Sequence, residues 1–147
     1  MKRLSFLTGF VWLVTTVSFA QKSEIFIKSD AAINGYDAVA YFTQSKPVKG
    51  STQHIFSWKG ASWLFSTKQN LEAFKANPEK YAPQYGGYCA YGLSRGYKAP
   101  TEADAWSIVN GKLYLNYNKD VRDIWNKGQS GYIKKADDNW PGVKNKS

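Results

Sequence analysis

The stretch Ile55-Phe56-Ser57-Trp58-Lys59-Gly60-Ala61-Ser62-Trp63-Leu64-Phe65-Ser66-Thr67-Lys68-Gln69 decides the fold. Phe56 and Trp58 alternate with smaller residues, Lys59-Gly60 interrupts, and Trp63 and Phe65 alternate again. Side chains two apart on a strand share a face, so the pattern predicts a β-hairpin that offers four aromatic rings to one side. Ser66 followed by Gln69 fits a helix-capping box. The helix it opens is expected to run to about Ala76, to bury Leu71 and Phe74, and to stop at Asn77-Pro78, where proline disfavours a helical predecessor.

On the N-terminal side, Glu24 to Lys28 is a short apolar run with charged ends, expected to be a strand. Asn34-Gly35 marks a turn. Asp37 to Phe42 reads as a second strand, apolar enough to be covered on both faces, and Lys46 to Gly50 as loop. On the C-terminal side, residues 81–97 are rich in loop formers. Trp106 to Val109 and Lys112 to Leu115 flank Asn110-Gly111, a strong hairpin signal. Asn118 is placed to cap a helix carrying Val121, Ile124 and Trp125 on one face, with Gly128 past its end. A last short helix is expected over about Ser130 to Asp138, before Trp140-Pro141. The sum is an α+β fold: a small antiparallel sheet of hairpins with packed short helices, in a single domain over residues 21–147.

The first twenty residues have a different character. Lys2 and Arg3 precede an uncharged, mostly apolar run from Leu4 to Ala20, which closes on Ser18-Phe19-Ala20. This is the pattern of a secretory signal peptide cleaved between Ala20 and Gln21. The run falls at the short edge of a membrane span, and Gln21 is not the cysteine of a lipoprotein. The chain is therefore expected to be periplasmic or secreted, with no stable membrane insertion after cleavage. Loss of Lys2 and Arg3 leaves 18 cations against 11 acids, a net charge of +7.

Composition narrows the chemistry. One cysteine among 147 residues excludes an internal disulfide framework and any CxxC site. One His and one Cys cannot by themselves close a four-ligand zinc site. The cations are scattered, and only Arg95 and Arg122 of those past the leader are arginines. That argues against nucleic acid, whose readers cluster basic residues and favour Arg for bidentate contacts. No glycine-rich phosphate loop is present. No pair of carboxylates has a spacing that argues acid–base catalysis, and Asp37 reads as surface or turn chemistry.

Cys89 is the most informative residue. A lone thiol in an oxidising compartment is unusual. If Tyr88 to Ser94 forms a short helix, Cys89 lies in its first turn, where unpaired N–H groups favour thiolate; Arg95 and Lys98 add nearby charge. His54, in the strand leading to Phe56, can join the sulfur as a soft-metal ligand or act as its base. Tyr85 and Tyr88 stand beside Cys89 in a tyrosine-rich segment and can line a pocket or supply phenolate oxygen. The alternative is packing: a buried cysteine acts as a small hydrophobe, and clustered tyrosines form core.

Residues 35–42, 65–74 and 77–81, the string Ala82-Pro83-Gln84-Tyr85-Gly86-Gly87-Tyr88-Cys89-Ala90, and residues 111–117 and 136–141 resemble the exported YHS-domain proteins of bacteria, a branch that includes selenoproteins. The resemblance implies a small sheet with a packed helix. In the wider family it also implies metal binding through cysteines, at positions where this chain has Ala40, Ser66 and Asn70. The Tyr-His-Ser that names the family corresponds to Phe65-Ser66-Thr67. The exported branch has its own sulfur at Cys89, and selenium at that position implies redox or soft-metal chemistry there.

Three functions follow as expectations. The first is a binding module in which Cys89 holds a soft metal such as copper(I), completed by His54, Tyr85 or Tyr88. The second is a one-cysteine redox protein whose Cys89 is resolved by a partner thiol protein. The third is a non-catalytic, aromatic-rich interaction domain.

Overall fold

The aromatic hairpin forms as its alternation requires. The computed structural model describes residues 13, 15 and 23–146; the expected leader lies outside the described residues apart from Leu13 and Thr15. Strands β3 (Ser51–Trp58) and β4 (Ala61–Phe65) follow a short β1–β2 pair, Ile27–Lys28 with Ala31–Ala32. They pair antiparallel, with Phe56 opposite Trp63 and Trp58 opposite Ala61. Lys59 and Gly60 make the turn with φ of 49° and 72°, the left-handed pair that matches the twist of a two-residue hairpin. The register shifts between Ser51 and Ile55, so His54 lies in an irregular stretch of β3.

All four aromatics of the hairpin converge on one ring. Phe74, on the helix Lys68–Ala76, is fully buried. Its centroid lies 6.2 Å from Phe56, 5.7 Å from Trp58, 5.0 Å from Trp63 and 5.0 Å from Phe65. Edge-to-face and tilted contacts at these separations add to the burial of apolar area. The expected helix is thus present, but its cap is one residue later than the sequence suggested. Thr67, not Ser66, accepts the Asn70 N–H at 3.1 Å.

The shift frees Ser66 for Asp37, and here the strand expected over Asp37 to Phe42 is corrected. Asp37 is fully buried. Its Oδ1 accepts the N–H groups of Val39 at 2.9 Å and Ala40 at 3.1 Å, and the chain turns into α1, Ala40–Thr43. Its Oδ2 accepts the Ser66 N–H at 2.8 Å, the Ser66 hydroxyl at 2.7 Å and the Asn70 amide at 2.8 Å. An apolar run is compatible with either buried strand or buried helix. The carboxylate decides it, because bonds to the second and third residues ahead impose a turn.

The lysine-to-alanine helix just described is α2; α3 is Pro78–Tyr81, α4 Ala90–Ser94, α5 Lys119–Asn126 and α6 Gln129–Val143. Strands β5 (Trp106–Val109) and β6 (Lys112–Leu115) form the hairpin expected around Asn110-Gly111. Asn118 caps α5 by accepting the Val121 N–H at 2.8 Å. Helix α6 is longer than expected and runs through Pro141, which stands within its last turn and so interrupts little. Among the described residues no helix is long and apolar enough to cross a membrane.

Two cores result. One gathers Val39, Tyr41, Trp63, Phe65, Phe74 and Leu113; the other gathers Tyr85, Tyr88, Leu93, Tyr114, Trp125 and Ala136. The turn Gln84–Gly87 joins them. Tyr85 and Gly86 have φ of 58° and 64°, and the Phe26 N–H donates to Gly86 O at 2.8 Å. A Cβ at residue 86 would lie 1.8 Å from Glu24 O.

Two stability outcomes are expected. Asp37→Ala orphans several buried donors and should lower the urea-unfolding free energy by about 3 kcal/mol or more; a loss below about 1 kcal/mol contradicts the role given to this carboxylate. Gly86→Ala should cost clearly more than Gly111→Ala, since both positions have positive φ but a Cβ at 111 meets nothing within 4 Å. Equal costs in the same melts would show that backbone approach at Gly86 is unimportant.

Candidate functional site

Cys89 ends the turn segment and caps α4. Its sulfur accepts the Gly92 N–H at 3.4 Å, and its own N–H donates to Ala99 O at 3.0 Å. The thiol donates to Asn116 Oδ1 at 3.5 Å, and the same oxygen accepts the Tyr91 N–H at 3.0 Å. Cys89 is 2% exposed and Asn116 is fully buried. Removal from water is the largest influence on the thiol and pushes its pKa up; N–H groups of Gly92, Tyr117 and Tyr91 pull the other way without overcoming it. A helix of one turn and a half supplies too little dipole to change that balance.

The neighbours singled out from the sequence go elsewhere. The Tyr85 hydroxyl donates to Asp137 Oδ1 on α6 at 2.9 Å. The Tyr88 hydroxyl donates to Ser23 O at 2.8 Å. Tyr85, Tyr88 and Cys89 thus face three different partners. Burial raises the pKa of both phenols, Tyr85 the more because its hydroxyl is also bonded to the Asp137 carboxylate. His54 is half-buried on β3, which packs on β4 and α2, whereas α4 packs on α5, α6 and the Gln84–Gly87 turn. Arg95 lies over the Tyr91 ring, and Lys98 donates to backbone carbonyls. Among the described residues no imidazole or cation hydrogen-bonds the sulfur, and no group of three or more His, Cys, Asp or Glu side chains is placed to share a metal ion.

A second constellation, centred on Asp37, was not legible as a site. Ala40, Ser66 and Asn70 all donate to this one carboxylate, Ala40 through its backbone. Two carboxylate oxygens offer about four lone-pair directions. Five donors from Val39, Ala40, Ser66 and Asn70 use them up. The arrangement presents neither a soft ligand nor a spare lone pair, so the residues there do not fit a thiophilic metal. The sequence signal was an acid inside an apolar run, where a charge persists only if donors surround it. Asn116, which fixes the Cys89 thiol, had no such signal.

Residues 39–85 match the YHS domain. The match spans Ala40, Ser66 and Asn70 and ends before Cys89. No curated protein and no solved structure matches the chain.

The raised pKa values of Cys89, Tyr41, Tyr85, Tyr88 and Tyr114 set the alkaline limit of stability. The unfolded chain releases these protons first, from about 8.5 for a thiol and about 10 for a phenol. The stabilisation is therefore complete below those values and is lost as pH rises through the higher folded-state values. The urea midpoint should fall steadily on going from neutral pH into this alkaline range, and Cys89→Ala should remove the earliest part of the fall. A midpoint that holds or rises over the range contradicts the burial described.

Proposed function

We propose that the chain is an exported, non-catalytic interaction module built on a YHS domain, with Cys89 a structural thiol. The observation that carries this reading is the sealed sulfur, 2% exposed and donating to a buried amide. The carboxylate-centred network at Ala40, Ser66 and Asn70 supports it, because those are the positions of metal-binding cysteines in the family the sequence resembles. Export is supported by the basic start, apolar run and small-residue close of residues 1–20. On this reading the domain works through its surface, and its buried polar groups fix its shape.

A second reading keeps the thiol functional. A YHS domain suggests a metal-binding module. The N–H groups of Tyr91, Gly92 and Tyr117 directed at the sulfur would stabilise a thiolate once the site opened, for copper(I) or for a partner thiol.

Thiol reactivity and metal binding separate the two. With a disulfide reagent such as dithionitrobenzoate, native Cys89 should react at least about 100-fold more slowly than in urea, because reaction waits on opening. Copper(I) competition against a chromophoric chelator should give the same result for the wild type and Cys89→Ala. Fast native reaction, or stoichiometric copper(I) binding lost in Cys89→Ala, would establish the second reading.

A further inference from the structure

We propose that the cleft where the two cores meet is a binding site for one neutral sugar unit. This goes beyond the proposed function, which names no ligand, and it does not depend on the state of Cys89.

The cleft has a volume of about 120 Å³. Its walls come from segments far apart in the sequence: Glu24 ahead of β1, Trp58 and Lys59 at the β3–β4 turn, Glu79 on α3, Gln84 in the Gln84–Gly87 turn and Trp140 on α6. Trp58 belongs to the first core and Trp140 to the second. Contacts that need no ligand hold each wall, so the site is formed in advance. The Phe26 N–H bond to Gly86 O, with the close approach of Gly86 to Glu24 O, keeps residues 24–26 against the turn. Trp140 stands edge-to-face with Tyr85 at 6.0 Å between centroids, and the Tyr85 hydroxyl is tied to Asp137. Trp58 packs on Trp63 and on Phe74, each at 5.7 Å. The Lys59 ammonium lies over the Trp58 ring, 4.8 Å from its centroid, 3.3 Å from Glu24 Oε1 and 3.7 Å from Glu79 Oε1.

Charge and hydrogen-bonding capacity select the ligand. An anion would face two carboxylates, and a cation would face the ammonium that already sits between them. A zwitterion would have to break the Lys59 pairs. A hydroxyl both donates and accepts, and the lining offers both kinds of partner. Glu24 and Glu79 accept, Lys59 and the Trp140 indole N–H donate, and the Gln84 amide does both. Among the described residues, neither the Gln84 amide nor the Trp140 indole N–H has a hydrogen-bond partner. The Glu24 and Lys59 side chains are 29% and 38% exposed, so a ligand reaches them without unfolding. The half-buried Trp140 supplies the apolar contact. The C–H bonds of a sugar ring carry slight positive charge and pack on the negative face of an aromatic ring. Size agrees with this choice. At about 10–15 Å³ for each water-sized group, the cleft has room for roughly ten non-hydrogen atoms, which is one pyranose ring and not a chain of them.

An NMR titration of the chain beginning at Gln21 tests this; both cores consist of residues from Ile25 onward, so that chain carries the whole described fold. The probes are the methyl glycosides of glucose, galactose, mannose and N-acetylglucosamine, with glycine, inorganic phosphate and tetramethylammonium as zwitterion, anion and cation. At least one glycoside should shift the Trp140 indole and Gly86 amide signals in a saturable way, with a Kd on the order of 1–10 mM for so small and open a site. The charged probes should not saturate these signals. Gln84→Ala should weaken the binding by about fivefold or more, because the hydrogen bonds of its amide are lost. Gln69→Ala, at an exposed position on α2, should leave it unchanged. The proposal is overturned if no glycoside saturates these signals at about 100 mM, well above the expected Kd. It is equally overturned by saturable shifts confined to other residues, by tighter binding of a charged probe, or by equal affinity in Gln84→Ala and the wild type. None of these outcomes bears on the thiol and copper measurements at Cys89, so the two readings fail separately.

Discussion

A single buried carboxylate ties the N-terminal half of this protein together. Asp37 collects donors from its own turn and from the start of α2, and it is fully removed from water. An ionised group in such a place persists only when its hydrogen-bonding capacity is filled. Filling it fixes the direction of α1, the position of Ser66 at the end of β4, and the register of α2. Phe74 then stands where the four hairpin aromatics meet. Polar constraint and aromatic packing thus specify the same geometry from two sides, which is the consistency that gives a sequence one structure.

The second half repeats the device with weaker groups. Asn116 accepts from Tyr91 and from the Cys89 thiol, so one amide oxygen orders the start of α4. Asn139 on α6 donates to Leu93 O at 2.9 Å and closes the other end of that short helix. The sulfur is one member of this set of local bonds. Its neutrality follows from its surroundings: desolvation outweighs the N–H groups directed at it. Chemistry at this atom would require α4 to move away from Asn116, and the proposed function avoids that demand by placing activity at the surface.

Much of the architecture was legible in the sequence, and the exceptions have physical causes. The two long hairpins, α2 and α5 could be read because alternation, turn residues and caps all pointed the same way. The Asp37 to Phe42 segment was misread because an apolar run carries no period, and a side chain bonded two and three residues ahead decides its shape. Ser66 looked like a cap because Ser and Thr are equivalent by type, yet only the structure shows which hydroxyl is engaged by Asp37. At the candidate site, Cys89 stood out by rarity, but burial is a tertiary property that spacing does not encode. His54, Tyr85 and Tyr88 were joined to it by proximity in sequence or by chemical type, and their hydroxyl and strand contacts lead elsewhere.

Asp37 holds α1, the end of β4 and α2 together through its hydrogen bonds. Native-state hydrogen exchange at the Ser66 and Ala40 amides tests it. Both should exchange only through global unfolding, with protection that is unchanged by a chelator or by added copper and that collapses in Asp37→Asn, where an amide nitrogen must face donors. Exchange of these amides at the rate of surface loops, or protection that appears only with metal, would contradict it.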